Sequence, residues 1–411
     1  MAPRRGLEEA LNLWELRDIA HTTLEAGDRD YYEGGAEDEV TLQRNRHAFA
    51  QVTLWPRVLR DVQRVDLRTN VLGIALASPV GIAPVAMQKL AHEDGECATA
   101  VACARRGSLF CLSQQSTTSV EETCAAAAKA WATSSAAAPG GTSVSPASSS
   151  TSPKWFQLYI FKDRKKTFAL AERAIRGGCR ALVITVDAPV LGRRERDQRN
   201  RFTLRKGLAL ANVGHGSNPN VSSPSSHQGD LQKRIGGRDA GLDWEAITEL
   251  RDHFTPIPIV LKGVVTYDDA QRAAHSGVGG VWVSNHGGRQ LDYGPATLAA
   301  LPEVVAGLED YAQRHKEPRL PIMVDGGVRR GTDIVKALAM GANVVFVGRP
   351  VVHALAAGGQ AGVERMLAIL DEELRSAMAL VGASCPEALD RYMVQRPGER
   401  PPRRPVQPSK L

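Results

Sequence analysis

His286 and Arg289 stand three residues apart in the run Ser284-Asn285-His286-Gly287-Gly288-Arg289. An imidazole is the side chain best matched to proton transfer near neutral pH. A guanidinium on the same turn can hold a carboxylate through two parallel N–H···O bonds. A lone histidine is more often structural. Here, however, His286 has Arg289 on its own turn and Arg194 and Asp187 at similar positions after another apolar run, which favours catalysis over a structural role. Lys262 has two readings, a Schiff-base nucleophile as in barrel aldolases or a fixed cation beside a cofactor that becomes anionic. Two glycine-rich turns, Asp325-Gly326-Gly327-Val328-Arg329 and Gly348-Arg349, combine backbone N–H groups with an arginine, which suits a phosphate. The bland alternative is two tight turns that happen to carry surface arginines.

These residues share one kind of placement, at or just after the end of a short apolar run. The runs cover residues 79–85, 108–113, 155–160, 181–187, 258–262, 280–284, 321–325 and 343–348. Continuous Val/Ile-rich runs of this length suit strands buried on both faces. Amphipathic stretches separate several of them, and Gly177, Gly277 and Gly341 stop three of these as helix ends. Eight strand–helix alternations predict an α/β protein with a (β/α)8 barrel, in which catalytic groups gather at the C-terminal strand ends. Those ends carry Gln157 and Tyr159 on the third run, Thr185 and Asp187 on the fourth, and Lys262 on the fifth. A doubly wound sheet would want a glycine fingerprint after its first strand. Gly277-Val278-Gly279-Gly280 precedes a strand instead and lacks the last glycine of that motif.

The remaining segments read as extensions of a single domain over residues 1–390. Residues 11–24 predict a helix with Leu13, Leu16, Ile19 and Ala20 on one face, and Tyr31-Tyr32-Glu33-Gly34-Gly35 a turn after it. Residues 124–153, almost all Ala, Ser, Thr, Gly and Pro, predict a flexible insertion. The polar stretch 208–241 predicts a long lid loop. Val363, Met366, Leu367, Leu370, Leu374, Met378 and Val381 mark a long closing helix. Residues 391–411 read as an extended Pro- and Arg-rich tail.

Composition narrows the class. Of 411 residues, 43% are hydrophobic and 23% charged, as in ordinary globular proteins. No apolar run approaches the roughly 20 residues of a membrane span. The net charge of +6 owes much to Arg396, Arg400, Arg403, Arg404 and Lys410 near the end of the chain, and no basic stripe is interleaved with aromatics, so no nucleic acid or membrane partner is expected. None of the six cysteines forms a C-x-x-C pair or has metal-like histidine spacing, which predicts reduced thiols and no metal. No apolar signal core follows the N-terminus. The closing Ser409-Lys410-Leu411 matches the peroxisomal address and predicts a peroxisomal location through its import receptor.

From Tyr31 to about residue 385 the chain resembles the FMN-dependent (S)-2-hydroxy-acid oxidases and dehydrogenases, the glycolate oxidase-like family. The resemblance rests on Ser284–Asp292, Asp325–Gly331, Phe156-Gln157-Leu158-Tyr159, Thr185-Val186-Asp187 and Val347-Gly348-Arg349-Pro350. It implies FMN across the barrel mouth, its phosphate near Asp325, Gly327, Arg329, Gly348 and Arg349. The ring would touch Pro84, Val85, Ala86, Ser113, Gln157, Thr185 and Lys262, with Ser284 nearby. It implies that Arg194, Arg289 and Tyr31 bind the carboxylate of a 2-hydroxy acid, that Tyr159 bonds its hydroxyl, and that His286 takes a proton while Asp187 stabilises the imidazolium. Dioxygen would accept the electrons and leave as hydrogen peroxide, in a homo-oligomer, often a tetramer. Glycolate oxidase has Thr at the Val85 position and a pocket Trp at the Gln115 position, so this chain has room for a bulkier substrate. Alternatives are a quinone or cytochrome acceptor, a Schiff-base aldolase through Lys262, and a non-catalytic scaffold.

Overall fold

The computed structural model describes residues 6–134, 151–213 and 237–403. Eight parallel strands close into a barrel: β1 (Val80–Ile82), β2 (Leu109–Ser113), β3 (Lys154–Leu158), β4 (Leu182–Thr185), β5 (Ile259–Lys262), β6 (Gly280–Val283), β7 (Ile322–Val324) and β8 (Val344–Val347). Each strand pairs with its sequence neighbours, and β8 closes on β1 through Val345↔Val80 and Val347↔Ile82. Each of the eight runs read from the sequence supplies one strand. A helix follows every strand, from Gly95–Arg106 after β1 to Arg349–Val381 after β8. Closure removes the exposed edges that an open sheet would leave.

Side chains alternate in and out along each strand. Leu109, Cys111, Trp155, Val183, Val260, Trp282, Met323 and Phe346 point inward and are fully buried. Trp282 and Phe346 stack with ring centroids 3.9 Å apart, and Trp155 lies 6.0 Å from Phe346. Gly81 makes room for this layer, since a Cβ there would lie 2.5 Å from Phe346 Cε1. A hairpin of Thr69–Val71 and Ile74–Leu76 adds Val71, Ile74 and Leu76 to the same cluster at the N-terminal end. The barrel is therefore a filled core. Two residues further along the strands, the same inward phase brings Ser113, Gln157, Thr185, Lys262, Ser284 and Asp325 to the opposite, C-terminal rim.

Several boundaries differ from the sequence reading. The expected insertion 124–153 begins in fact as helix: Val120–Thr133 is capped by the Ser119 hydroxyl and buries Ala127, Ala130 and Trp131, which anchor an alanine-rich stretch that composition alone reads as disordered. Residues 135–150 lie outside the described residues, as do 214–236 of the expected lid and the terminal tripeptide. Tyr31-Tyr32-Glu33 is the last turn of a helix, Ala26–Glu33, and the turn proper begins at Gly34. The tail starts later than residue 391, because Val394–Gln395 pairs antiparallel with Thr53–Leu54 and buries Met393 and Val394. The closing helix starts at Arg349 and bends at Gly358–Gly359. No described helix is long and apolar enough to cross a membrane.

Trp282→Ala should open a cavity between Phe346 and Trp155. An unfolding free energy lowered by about 3–5 kcal/mol in urea titration is the expected result, and a change under 1 kcal/mol would contradict the filled-core reading.

Candidate active site

The C-terminal ends of the strands surround a cleft of about 1140 Å³, its open mouth included. Its wall holds Tyr31, Pro84, Val85, Ala86, Ser113, Gln157, Tyr159, Thr185, Arg194, Lys262, His286, Arg289, Asp325, Gly327, Arg329, Gly348 and Arg349. Two residues singled out from the sequence, Asp187 and Ser284, stand behind this wall and act on residues that line it.

His286 lies in a tight turn where three successive residues, His286, Gly287 and Gly288, have positive φ (57°, 68° and 74°). Such a backbone strains any side chain but glycine, so the histidine is held by its surroundings. Gly288 packs directly on the Val40–Gln51 helix, where a Cβ would come within 2.6 Å of the Leu42 nitrogen. His286 N–H donates to Ser284 Oγ at 3.1 Å. Its Nδ1 lies 2.8 Å from Asp187 Oδ1, and its Nε2 lies 3.2 Å from the Tyr159 hydroxyl. Burial lowers the His286 pKa below its usual value, and the Asp187 charge only partly restores it. The imidazole is therefore neutral near pH 7, with Nε2 facing the cleft. Burial pushes Asp187 up, but the interaction with the His286 imidazole and the Lys262 ammonium outweighs it and holds the carboxyl below its usual range. Asp187 Oδ2 is buried without a hydrogen-bond partner among the described residues. Its only strong outlet is the imidazole, which suits stabilising an imidazolium.

Lys262 Nζ donates to Ser284 Oγ at 2.8 Å and lies 3.5 Å from Asp325 Oδ2. The Ser284 hydroxyl donates in turn to Asp325 Oδ1 at 2.7 Å. Burial acts to lower the Lys262 pKa, but Asp325 and Asp187 overcome it and the net shift is upward. A Schiff-base nucleophile needs the opposite, a depressed pKa, so the aldolase reading loses its main residue. The expected grouping of Asp325 with the phosphate changes too: its carboxylate is engaged by Lys262 and Ser284, and an anion there would repel a phosphate. Along the rim, Gln157 Nε2 donates to Thr185 Oγ1 at 3.0 Å and its Oε1 accepts from Ser113 Oγ at 3.2 Å.

Five guanidinium groups line the cleft, and four of them form two pairs. Arg194 and Arg289 form one pair. Burial, then the neighbouring Arg289, lowers the Arg194 pKa to about 10. Arg289 stacks over Tyr31 at 4.9 Å, and its Nη1 donates to the Tyr31 and Gly34 carbonyls. Tyr31 itself stacks on Phe202 at 4.3 Å. Arg329 and Arg349 form the second pair. Burial lowers Arg329 to about 10, Arg46 adding to the effect, and lowers Arg349 well below the usual arginine range with help from Arg289 and Arg329. Arg349 reaches the Tyr32, Gly287 and Gly34 carbonyls, tying the end of the Ala26–Glu33 helix and the Gly287 turn to the start of the closing helix. Beside it, Gly326 and Gly327 take φ of 101° and 91°, and a Cβ on Gly327 would sit 2.1 Å from the Asn45 carbonyl oxygen. The backbone there comes too close to its neighbour for any side chain.

Two features were not legible in the sequence. Arg238, inside the expected lid, returns to line the cleft with its guanidinium carbon 3.5 Å from the Tyr159 ring centroid. His21, Glu33 and His353 converge within 4.8 Å of one another behind Arg349. Glu33 Oε1 lies 2.8 Å from His353 Nε2 and 3.2 Å from His21 Nε2. Burial raises the Glu33 pKa, but both histidines and Arg349 outweigh it and hold the carboxyl far below its usual range. With Arg46 3.7 Å away as well, this carboxylate balances arginines and is poorly placed to hold a metal cation.

Fold and site together define a (β/α)8 barrel enzyme with a buried cationic cradle for a phosphate-bearing cofactor beside an acid–base pair. The chain belongs to the FMN-dependent dehydrogenase family, whose profile matches residues 20–396. It is 45% identical over 385 residues to an L-lactate oxidase of Nostoc sp., spanning 94% of this chain and 98% of that protein. It is 42% identical over 393 residues to glycolate oxidase 3 of Arabidopsis thaliana, spanning 96% and 98%. A solved mandelate oxidase with (S)-4-hydroxymandelic acid superposes with a TM-score of 0.81 at 37% identity, covering 94% of this chain and 99% of that one. The cofactor is FMN, and the cleft fits it. One end offers two desolvated guanidinium groups and a glycine turn, whose charge calls for an anion, and the barrel axis offers a protonated lysine.

The His286 imidazole should titrate below about 6.5, the ordinary histidine value. Since Asp187 raises it, Asp187→Asn should move the titration to still lower pH. NMR titration of histidine-labelled protein, with His286→Gln for assignment, checks both signs. An upward shift in the asparagine variant would refute the pairing.

Proposed function

We propose that this chain oxidises an (S)-2-hydroxy acid to the 2-oxo acid, with dioxygen reduced to hydrogen peroxide. The single observation that carries the reading is the Tyr159–His286–Asp187 chain of hydrogen bonds opening on the same cleft as the Arg194–Arg289 pair. Arg194 and Arg289, with Tyr31, bind the substrate carboxylate, which sets the α-carbon in one orientation and removes the freedom that slows a bimolecular encounter. Tyr159 bonds the substrate hydroxyl oxygen. His286 Nε2 accepts a proton from the substrate, and Asp187 balances the charge that the imidazole acquires. Lys262, kept protonated by Asp325, holds a fixed positive charge toward the group that gains electrons. Pro84, Val85, Ala86, Ser113, Gln157 and Thr185 line the ring side, and Gly327, Arg329, Gly348 and Arg349 hold the phosphate. FMN, when bound, would supply the two-electron acceptor, with dioxygen as the final oxidant. The names of the lactate, glycolate and mandelate oxidases support dioxygen over a quinone or cytochrome.

The same reading includes a homo-oligomer, a tetramer by resemblance, and import into peroxisomes through Ser409-Lys410-Leu411. A compartment that disposes of peroxide suits the product.

Purified protein should be yellow, bleach with (S)-lactate, (S)-glycerate or a longer (S)-2-hydroxy acid, and recover its colour in air while peroxide accumulates. Colour that stays bleached in air would sink the oxidase. His286→Gln should keep the colour and lose turnover by about 100-fold or more; near-normal turnover would remove His286 from its role. For location, an N-terminally tagged chain should enter peroxisomes and the chain lacking its last three residues should stay in the cytosol. A full-length chain found in the cytosol would dispose of the address.

A further inference from the structure

Arg238 is a cation for which the mechanism above has no use. It enters the cleft from the far end of the 208–241 segment, where its backbone makes an antiparallel bridge with Phe161. Its side chain lines the cleft together with Arg194, Arg289 and Gln115. The guanidinium carbon lies over Tyr159, 3.5 Å from the ring centroid. Among the described residues, the acidic groups around it are already engaged, Asp239 by Arg164 at 2.7 Å and Asp187 by His286 at 2.8 Å.

Stacking on an aromatic ring uses the face of a guanidinium and leaves its N–H edge free for a bidentate bond to a carboxylate. A cation held out of water without a counter-ion is unfavourable, and an anionic ligand relieves that cost. The other anions expected in the cleft have places. The cofactor phosphate goes to Arg329 and Arg349, and the substrate α-carboxylate goes to Arg194 and Arg289. What remains for Arg238 is a group on the side chain of the substrate. Gln115 adds an amide to the same wall, so the lining is polar as well as roomy.

We infer that the substrate is a 2-hydroxy dicarboxylic acid whose distal carboxylate pairs with Arg238. This inference rests on the oxidase reading and deepens it. Arg238 is thereby a specificity residue, touching the end of the substrate away from the reacting carbon. The competing account gives Arg238 only an influence on Tyr159, whose pKa burial raises and Arg238 lowers. That account predicts an equal effect on every substrate.

The test compares two acids of equal chain length, (S)-2-hydroxyglutarate and (S)-2-hydroxypentanoate. The holoenzyme should favour the dicarboxylate in kcat/KM by about tenfold or more, the scale of one charge-assisted pair. Arg238→Met should cut that ratio ten- to hundredfold, chiefly through KM, and Arg238→Lys should retain part of it. A wild-type ratio near one, or a ratio that Arg238→Met leaves unchanged while both acids slow together, would overturn the inference. Flavin absorbance titrated with 2-oxoglutarate and 2-oxopentanoate gives a readout independent of turnover. A dicarboxylate preference there that Arg238→Met abolishes supports the inference even if neither hydroxy acid bleaches the flavin, in which case it is the oxidase reading that fails.

Discussion

The structure is organised around positive charge that the fold withdraws from water and does not neutralise internally. Burial lowers the pKa of Arg194, Arg329 and Arg349, and the Arg289 charge acts on both Arg194 and Arg349. Such an arrangement is tolerable only if the backbone holds it rigidly and ligands complete it. The backbone does hold it. Arg289 and Arg349 both donate to the Gly34 carbonyl, so one loop braces the substrate end and the cofactor end together. Glu33, one residue earlier, offsets part of the charge from behind, fixed in turn by His353 and His21.

The catalytic pair uses the same low-dielectric setting with the opposite balance. Asp187 faces the His286 imidazole and Asp325 faces Lys262 across the barrel mouth. Desolvation keeps His286 neutral and able to accept a proton, while the carboxylate of Asp325 keeps Lys262 charged. Two groups that burial alone would drive toward neutrality thus end in different states, because Lys262 has the stronger carboxylate environment. The division of labour follows from the distances between side chains and would be lost if either acid were displaced by an ångström or two.

Much of this was legible along the chain because it is local. Each short apolar run is continuous in the sequence, so Gln157, Thr185, Lys262 and Asp325 could be read off as residues at strand ends. Glycine turns after the seventh and eighth runs could be read for the same reason. What misled was composition taken without context. The alanine-rich start of the 124–153 stretch is helical because Trp131 and its neighbours find a buried face. Arg238 was concealed in a polar segment whose pattern carries no sign of returning to the mouth. The His21–Glu33–His353 cluster joins three elements with no common motif.

The sequence by itself determined the number of strands, the residues at their ends and the family to which the chain belongs, since these can be read from runs and motifs a few residues long. Only the tertiary structure decided which charges meet. Asp187 and His286 are separated by 99 positions and bonded at 2.8 Å. Lys262 is a fixed cation because Asp325 is folded against it, and Arg238 faces the cleft because a distant segment closes back onto Phe161. Protonation states depend on burial and on the distance to other charges, and neither quantity exists until the barrel has closed.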